Sequence, residues 1–298
     1  MAKCEVCFRH CEIKDGNLGF CMGRTCKNGQ VIPSNYGRVT SIALDPIEKK
    51  PLYHFYPGSY ILSVGSYGCN LRCPFCQNDS ISWGEEVNAM SELATESTHH
   101  SQHFQYFEYI SPEELVQIAL KYRPQGNIGI AFTYNEPLIE YEYIKDVASL
   151  AHKAGLKNVL VSNGTAELSV LEKIIPYIDA MNIDLKCFTE EGYKSLGGDF
   201  DMTKDFINEA ARHCHIEITT LVVPGLNDNE EEIASLSAWI ASLKGANDAV
   251  IGPEIPYHLS RFFPRFHLTD REPTDIKLLH KLKKVAEANL HHVYLGNC

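Results

Sequence analysis

The sequence predicts an α/β protein: an open, partial (β/α)6 barrel with a small cysteine-rich appendage at its N-terminus. Three observations predict it. From residue 60 onward, short β-rich runs alternate with amphipathic stretches of helical length, the pattern of a parallel sheet built from right-handed crossovers. Six such units can be counted, too few to close an eight-stranded barrel. The cysteines are also uneven: of eleven, five lie in residues 4–26 and three in residues 69–76, with Cys187, Cys214 and Cys298 isolated.

Residues 1–50 are rich in Cys, Gly and charge and have no helical period. They read as a metal-stapled appendage on a barrel domain spanning 51–298, with 30–33 and 39–43 suited to local strand pairs. Strands are expected at 60–65, 128–133, 158–162, 180–185, 215–223 and 250–257. Helices are expected at 111–122, 138–154, 166–176, 203–213, 229–243 and 274–289. Ser111 and Glu114 have capping-box spacing, and Pro112 suits a first helical turn. Residues 85–109 break the rhythm and are expected to form a long loop or lid over one end of the sheet.

The chain has 298 residues, 44% of them hydrophobic, enough to bury a sizeable core. Its formal charge of -11 argues against a general binder of nucleic-acid backbones, which needs a basic face. No apolar run approaches the roughly 20 residues that span a bilayer, and Met1-Ala2-Lys3-Cys4-Glu5 opens no secretory h-region. The expectation is a cytoplasmic protein with no membrane partner, whose cysteines are thiols or metal ligands before disulfides.

The segment Gly68-Cys69-Asn70-Leu71-Arg72-Cys73-Pro74-Phe75-Cys76 directly follows the first expected barrel strand. That is the end where parallel α/β folds place their sites. Three thiolates on one loop, Cys69, Cys73 and Cys76, can bind three irons of a 4Fe-4S cubane and leave the fourth without a protein ligand. The amino and carboxylate groups of S-adenosylmethionine can chelate that iron. An electron from the cluster then cleaves a C–S bond, giving methionine and a 5′-deoxyadenosyl radical that abstracts hydrogen from a substrate. A closed zinc site would want a fourth ligand, and no fourth cysteine lies nearby. Phe75 is placed to shield the cluster or pack near the adenine.

These residues resemble the radical SAM superfamily, and within it the pyruvate formate-lyase activating-enzyme-like branch. The group named AmmeMemoRadiSam system radical SAM enzymes is the nearest likeness, through the N-terminal cysteines, Cys-Gln-Asn at 76–78, Thr-Tyr-Asn-Glu-Pro at 133–137 and Tyr-Leu-Gly-Asn at 294–297. The resemblance implies that Asn135 and Glu136 stand where the superfamily's Gly-Gly-Glu motif meets the amino group of S-adenosylmethionine, though the glycines are absent. A Glu that simply caps the next helix is the plain alternative. The resemblance also implies that Ser162, at the end of strand three, and Asp184 and Lys186, at the end of strand four, contact the cofactor, and that His258 lies near its adenine end. Alternate strand residues share a face, so Asp184 and Lys186 can serve one site. The branch commonly carries an arginine where Thr219 stands here, which weakens a full carboxylate clamp.

Cys4, Cys7, Cys11 and Cys21 suit either zinc or a second, auxiliary iron–sulfur cluster, zinc being the less demanding structural reading. Cys26 competes with Cys21 as the fourth ligand. Cys187, Cys214 and Cys298 read as small buried hydrophobes, and His99, His100, His103, His291 and His292 as solvated surface. The stretch 261–267 is placed either to receive a substrate or to plug the barrel. By resemblance, the partners are an electron donor such as a flavodoxin or ferredoxin and, in the activase version, a partner protein that receives a glycyl radical. A modified small molecule is the other version, and a non-catalytic iron–sulfur or zinc sensor is the rival class.

Overall fold

The computed structural model describes residues 1–83, 87 and 107–298. Most of the expected 85–109 loop, with His99, His100 and His103, falls outside the described residues. The strands, in chain order, are β1 (Ala2–Lys3), β2 (Glu12–Ile13), β3 (Arg24–Lys27), β4 (Gln30–Pro33), β5 (Arg38–Val39), β6 (Ser41–Pro46) and β7 (Tyr60–Gly65). They continue with β8 (Glu108–Tyr109), β9 (Asn127–Phe132), β10 (Lys157–Ser162), β11 (Ala180–Asp184), β12 (His215–Val222), β13 (Tyr257–Arg261) and β14 (Val293–Gly296).

The main sheet has eight strands in the order β14-β13-β12-β11-β10-β9-β7-β6. All neighbours are parallel except β6, which pairs antiparallel with β7. Each crossover therefore advances one strand in the same direction, and β6 and β14 end the sheet without pairing to each other. The expected open barrel is the observed architecture. Helices Pro112–Lys121, Tyr141–Lys153, Leu168–Ile174, Phe200–Ala210, Glu230–Ala241 and Ile276–Ala286 fall within the six expected stretches, the fourth beginning earlier than expected. The capping box forms: Glu114 N donates to Ser111 Oγ at 3.3 Å and Ser111 N donates to Glu114 Oε2 at 2.9 Å.

Three elements differ from expectation. The sixth barrel strand is Tyr257–Arg261 rather than 250–257, because Pro253 and Pro256 each remove a ladder donor and Gly252–Glu254 turns as a 3-10 helix. The segment expected to pair at 39–43 becomes β6 and adds to the main sheet, Leu44 facing Leu62 in register. A further parallel strand, β14, follows the last helix; its four residues give too short a run to read as periodic.

Alternation along each strand divides the core. One face packs on the helices. The other lines the lumen, where Ile61, Ala131, Val159 and Ala180 close over Ile47, Leu52 and Phe55. These three belong to the crosspiece between β6 and β7, which seals the N-terminal end of the parallel strands. Glu217 of β12, fully buried, anchors it by accepting from Tyr53 N at 2.9 Å and His54 N at 2.7 Å. The opposite end is left to polar groups.

Candidate active site

The loop after β7 turns through Gly68, whose φ of +92° is open to glycine; a Cβ there would sit 2.5 Å from the Cys21 carbonyl oxygen. Cys69 N donates to that same oxygen at 3.1 Å, and Cys76 N donates to Cys73 O at 3.2 Å, folding the three cysteines into one tight turn. Cys73 and Phe75 are buried with Leu71, Leu196, Val223 and Phe262. Phe75 thus packs behind the thiols. The 261–267 stretch lies on this loop and not at the sealed end: His267 N donates to Pro74 O at 2.9 Å, and Trp83 packs against Phe266 and His267.

The donor set fits a cubane with one open iron. Burial, then Glu136 and Cys73, push the Cys69 thiol well above its ordinary value. Burial pushes Cys73 up to about 11 against the pull of Lys186. Such thiols stay protonated in the bare chain, and a bound metal would supply the positive charge that makes them thiolates. Leu71 N at 3.4 Å and Asn163 Nδ2 at 3.8 Å are directed at Cys69 Sγ, contacts of the kind that tune cluster sulfurs.

Successive strand ends supply the polar rim. Lys186 Nζ bonds Asp184 Oδ2 at 2.5 Å. Burial alone would lower the Lys186 pKa, but Asp184 and Cys73 outweigh it and raise it, so the cation is held beside the thiols. Glu136 is only 2% exposed. Its Oε1 accepts from Leu138 N at 3.0 Å and Ser162 Oγ at 2.8 Å, and its Oε2 from Asn163 N at 2.9 Å. It therefore caps the following 3-10 turn and ties β9 to β10, while roughly one of its four acceptor positions is left on Oε2. Burial raises its pKa to about 7 despite these bonds. Asn135 braces the cysteine loop, accepting from Ser66 N at 3.0 Å and donating to Gly68 O at 3.2 Å.

Asp184, Thr219 and His258 pair in one register row across β11, β12 and β13, with Tyr294 next on β14. His258 is buried, and its Nε2 lies 2.7 Å from Glu217 Oε2, so it is anchored from the sealed side. Thr219 Oγ1 bonds Asn182 in place of any cationic clamp. Asn163, which joins Glu136, Asn70 and Cys69, is a site residue the strand pattern alone does not single out; its neighbour Ser162 drew the attention, although both sit in one Ser-Asn-Gly turn.

Cys4, Cys7, Cys11 and Cys21 line one cavity with Arg9 and Arg24. Cys26 is not among its walls; it pairs in β3 and its Sγ faces Asp15. Among the described residues, no three His, Cys, Asp or Glu side chains converge tightly enough to hold a single metal ion. Cys187 is buried as expected, Cys214 partly so, but Cys298 is exposed at the chain end. His291 and His292 both bond Glu254 instead of facing only solvent. No helix among the described residues is long and apolar enough to cross a membrane.

Residues 63–237 match the family model described as Radical SAM superfamily. An uncharacterized protein of Methanocaldococcus jannaschii is 37% identical over 99% of this chain and 81% of its own length. A pyruvate formate-lyase-activating enzyme of Clostridium pasteurianum is 24% identical over 64% of this chain and 72% of its own. A 4-hydroxyphenylacetate decarboxylase activating enzyme of Clostridioides difficile is 24% identical over 77% and 78%. Among solved structures, Escherichia coli QueE superposes with a TM-score of 0.51 at 13% identity over 87% of this chain and 92% of that one. Streptococcus suis SuiB bound to S-adenosylmethionine gives 0.54 at 15% over 78% and 48%. At these identities the solved structures speak to the fold alone.

Proposed function

Because this chain belongs to the radical SAM superfamily, we propose that Cys69, Cys73 and Cys76 hold its 4Fe-4S cluster, that S-adenosylmethionine binds over them, and that the chain abstracts hydrogen from a substrate seated at the open rim. The family implies the cluster and S-adenosylmethionine; when bound, they supply a 5′-deoxyadenosyl radical. The chain's own residues supply the rest. Lys186 meets the methionine carboxylate and Asp184 orients it or accepts from the ribose. Glu136 offers its remaining acceptor position to the amino group, while Ser162 and Asn163 hold it still. Phe75 and Phe262 keep water from the thiols, and His258 faces the adenine end.

The observation that carries this reading is the three-cysteine turn at the end of the first parallel strand, with the Asp184–Lys186 pair held beside it. The test is anaerobic reconstitution with iron, sulfide, dithionite and S-adenosylmethionine. Release of 5′-deoxyadenosine, lost in Cys69→Ala, Cys73→Ala or Cys76→Ala, supports it. An intact cluster that releases none, or activity that survives a cysteine substitution, overturns it.

The relatives named as activating enzymes favour, as a second reading, a partner protein as the substrate. A glycyl-radical signal on a candidate partner after turnover would select it over a small-molecule substrate. A low-potential donor such as a flavodoxin or ferredoxin would supply the electron. Residues 1–50 form the appendage in this reading, with Cys4, Cys7, Cys11 and Cys21 as a second metal site for zinc or an auxiliary cluster.

A further inference from the structure

Phe20, in the appendage, is held between two cations. Arg9 lies 3.4 Å and Arg72 3.9 Å from the centre of its ring, too close for both to share one face. Arg9 donates to Asn70 O at 3.0 Å and to Gly197 O. Arg72 donates to Cys69 O and Leu71 O, both at 2.7 Å, and to Phe20 O. Gly197 leaves the room this needs, since a Cβ there would stand 2.9 Å from Arg9 Nη2. Among the described residues neither guanidinium meets a carboxylate, whereas Arg24 is paired with Glu142 and Lys186 with Asp184. Carbonyl oxygens accept hydrogen bonds but do not neutralise charge. Two half-buried guanidinium groups, protonated at any working pH, therefore bring unbalanced positive charge onto the backbone of the cysteine turn.

What surrounds them is sulfur. Burial pulls both arginine pKa values down, and cysteine thiolates oppose it. Cys7, Cys11, Cys21 and Cys69 act on Arg9; Cys69, Cys21 and Cys73 act on Arg72, with Arg9 itself pushing against Arg72. Two like charges gathered on one ring repel, and an anion lying beside both recovers that cost. The turn of Cys69, Cys73 and Cys76 fits a cluster that would be such an anion. Bound through three thiolates it is already negative, and it gains one more negative charge on reduction. The potential of such a cluster follows the net charge around it.

We infer that Arg72 and Arg9, clamped on Phe20, raise the reduction potential of the cluster held by Cys69, Cys73 and Cys76. This rests on the proposed radical SAM site and asks nothing of what the N-terminal cysteines hold. A cation beside the turn favours the reduced, more negative cluster, and its removal favours the oxidised one. Arg72 precedes Cys73 and closes its fork on Cys69 O, so its charge sits within the turn. Arg9 acts one carbonyl further out, at Asn70 O. The appendage thus supplies one cation and the ring that gathers both, and sets how readily the barrel's cluster accepts an electron.

The test is an EPR-monitored redox titration, with dithionite as the reductant, of the full chain reconstituted with iron and sulfide. The cluster of the Cys69 turn is identified as the one whose signal changes when S-adenosylmethionine is added, because only an iron without a protein ligand can take it up. Arg72→Met and Arg9→Met keep a stem and lose the charge; Arg72→Lys and Arg9→Lys keep the charge and lose the fork. Arg72→Met is expected to lower the midpoint by at least about 59 mV, a tenfold loss in the reduction equilibrium. Arg9→Met should lower it by less, and each Lys variant should recover more than half of the corresponding loss. A purely structural role predicts otherwise, since the fork's hydrogen bonds are lost with Lys and Met alike. An unchanged midpoint in Arg72→Met, or Lys variants shifted as far as the Met variants, overturns the inference. If Arg72→Met holds no cluster, the Arg9 pair decides by the same criterion. A wild-type cluster signal that ignores S-adenosylmethionine would instead mark failure of the radical SAM site.

Discussion

Glu217→Gln isolates the strut that seals the barrel. Its carboxylate is fully buried and accepts from Tyr53 N, His54 N, His215 Nε2 and His258 Nε2. Burial alone would raise its pKa, but the two imidazoles and two backbone amides overcome this and hold it at about 2, against an ordinary 4.5. A depressed carboxylate contributes stability above its unfolded pKa and loses it as pH falls toward the folded value. At 1.36 kcal/mol per unit, the full contribution is about 3 kcal/mol at neutral pH. From pH 5 to pH 3 the contribution falls by about 2 kcal/mol. Urea unfolding of wild type and Glu217→Gln at pH 5, 4 and 3, under anaerobic conditions, reads the gap directly. The gap should narrow by about that amount as pH falls. A gap that is flat, or that widens toward pH 3, would refute the argument that Glu217 is held ionised by these four donors.

Two more outcomes follow from the cysteine end. Lys186→Met removes the cation between Asp184 and the thiols while keeping the stem, and should weaken S-adenosylmethionine binding about tenfold to a hundredfold, the range of a charge-assisted hydrogen bond; equilibrium dialysis with the loaded enzyme checks it, and unchanged affinity would remove Lys186 from the carboxylate. Gly68→Ala forces a side chain into a left-handed backbone and against the Cys21 carbonyl. It should cost at least about 2 kcal/mol in unfolding and lower the iron retained per chain, while Gly58→Ala, also at positive φ but with open space around it, costs only its local strain.

The sheet was legible where residues repeat. Strands of five or six apolar-rich residues such as Tyr60–Gly65 and Lys157–Ser162 announce themselves, as do helices with caps such as Ser111 and Glu114. The edges were not, because β6 and β14 earn their place by pairing with a neighbour, and a pairing partner leaves no periodic trace in a short run. The gathering of Cys69, Cys73 and Cys76 on one turn was legible because their spacing is local. Glu217 and Asn163 were not: each acts through partners scattered over the chain, Glu217 through a crosspiece more than 160 residues away in sequence. Arg9 and Arg24 were hidden for the same reason, since an arginine in a polar segment reads as surface until the fold wraps around it.

Exposure separates the rim residues by what they can do. Glu136 and Ser162 are almost fully buried and bonded to each other, so their effect on a ligand is transmitted through fixed geometry. The Asp184 and Lys186 side chains are 34% and 18% exposed and bonded mainly to one another. A ligand carboxylate arriving at Lys186 would exchange one anionic partner for another, at little desolvation cost because the ammonium is already largely out of water. Glu136 could meet an amino group only by the acceptor position its three donors leave, which fixes the direction of approach. The cysteine turn therefore sits between one pair that can trade partners and one carboxylate that cannot. In the proposed site that asymmetry would orient a bidentate amino-acid end in a single way: carboxylate toward Lys186, amine toward Glu136. Reversing it would set a carboxylate against the buried Glu136, whose Ser162 and Asn163 donors on the β10 side are already spent.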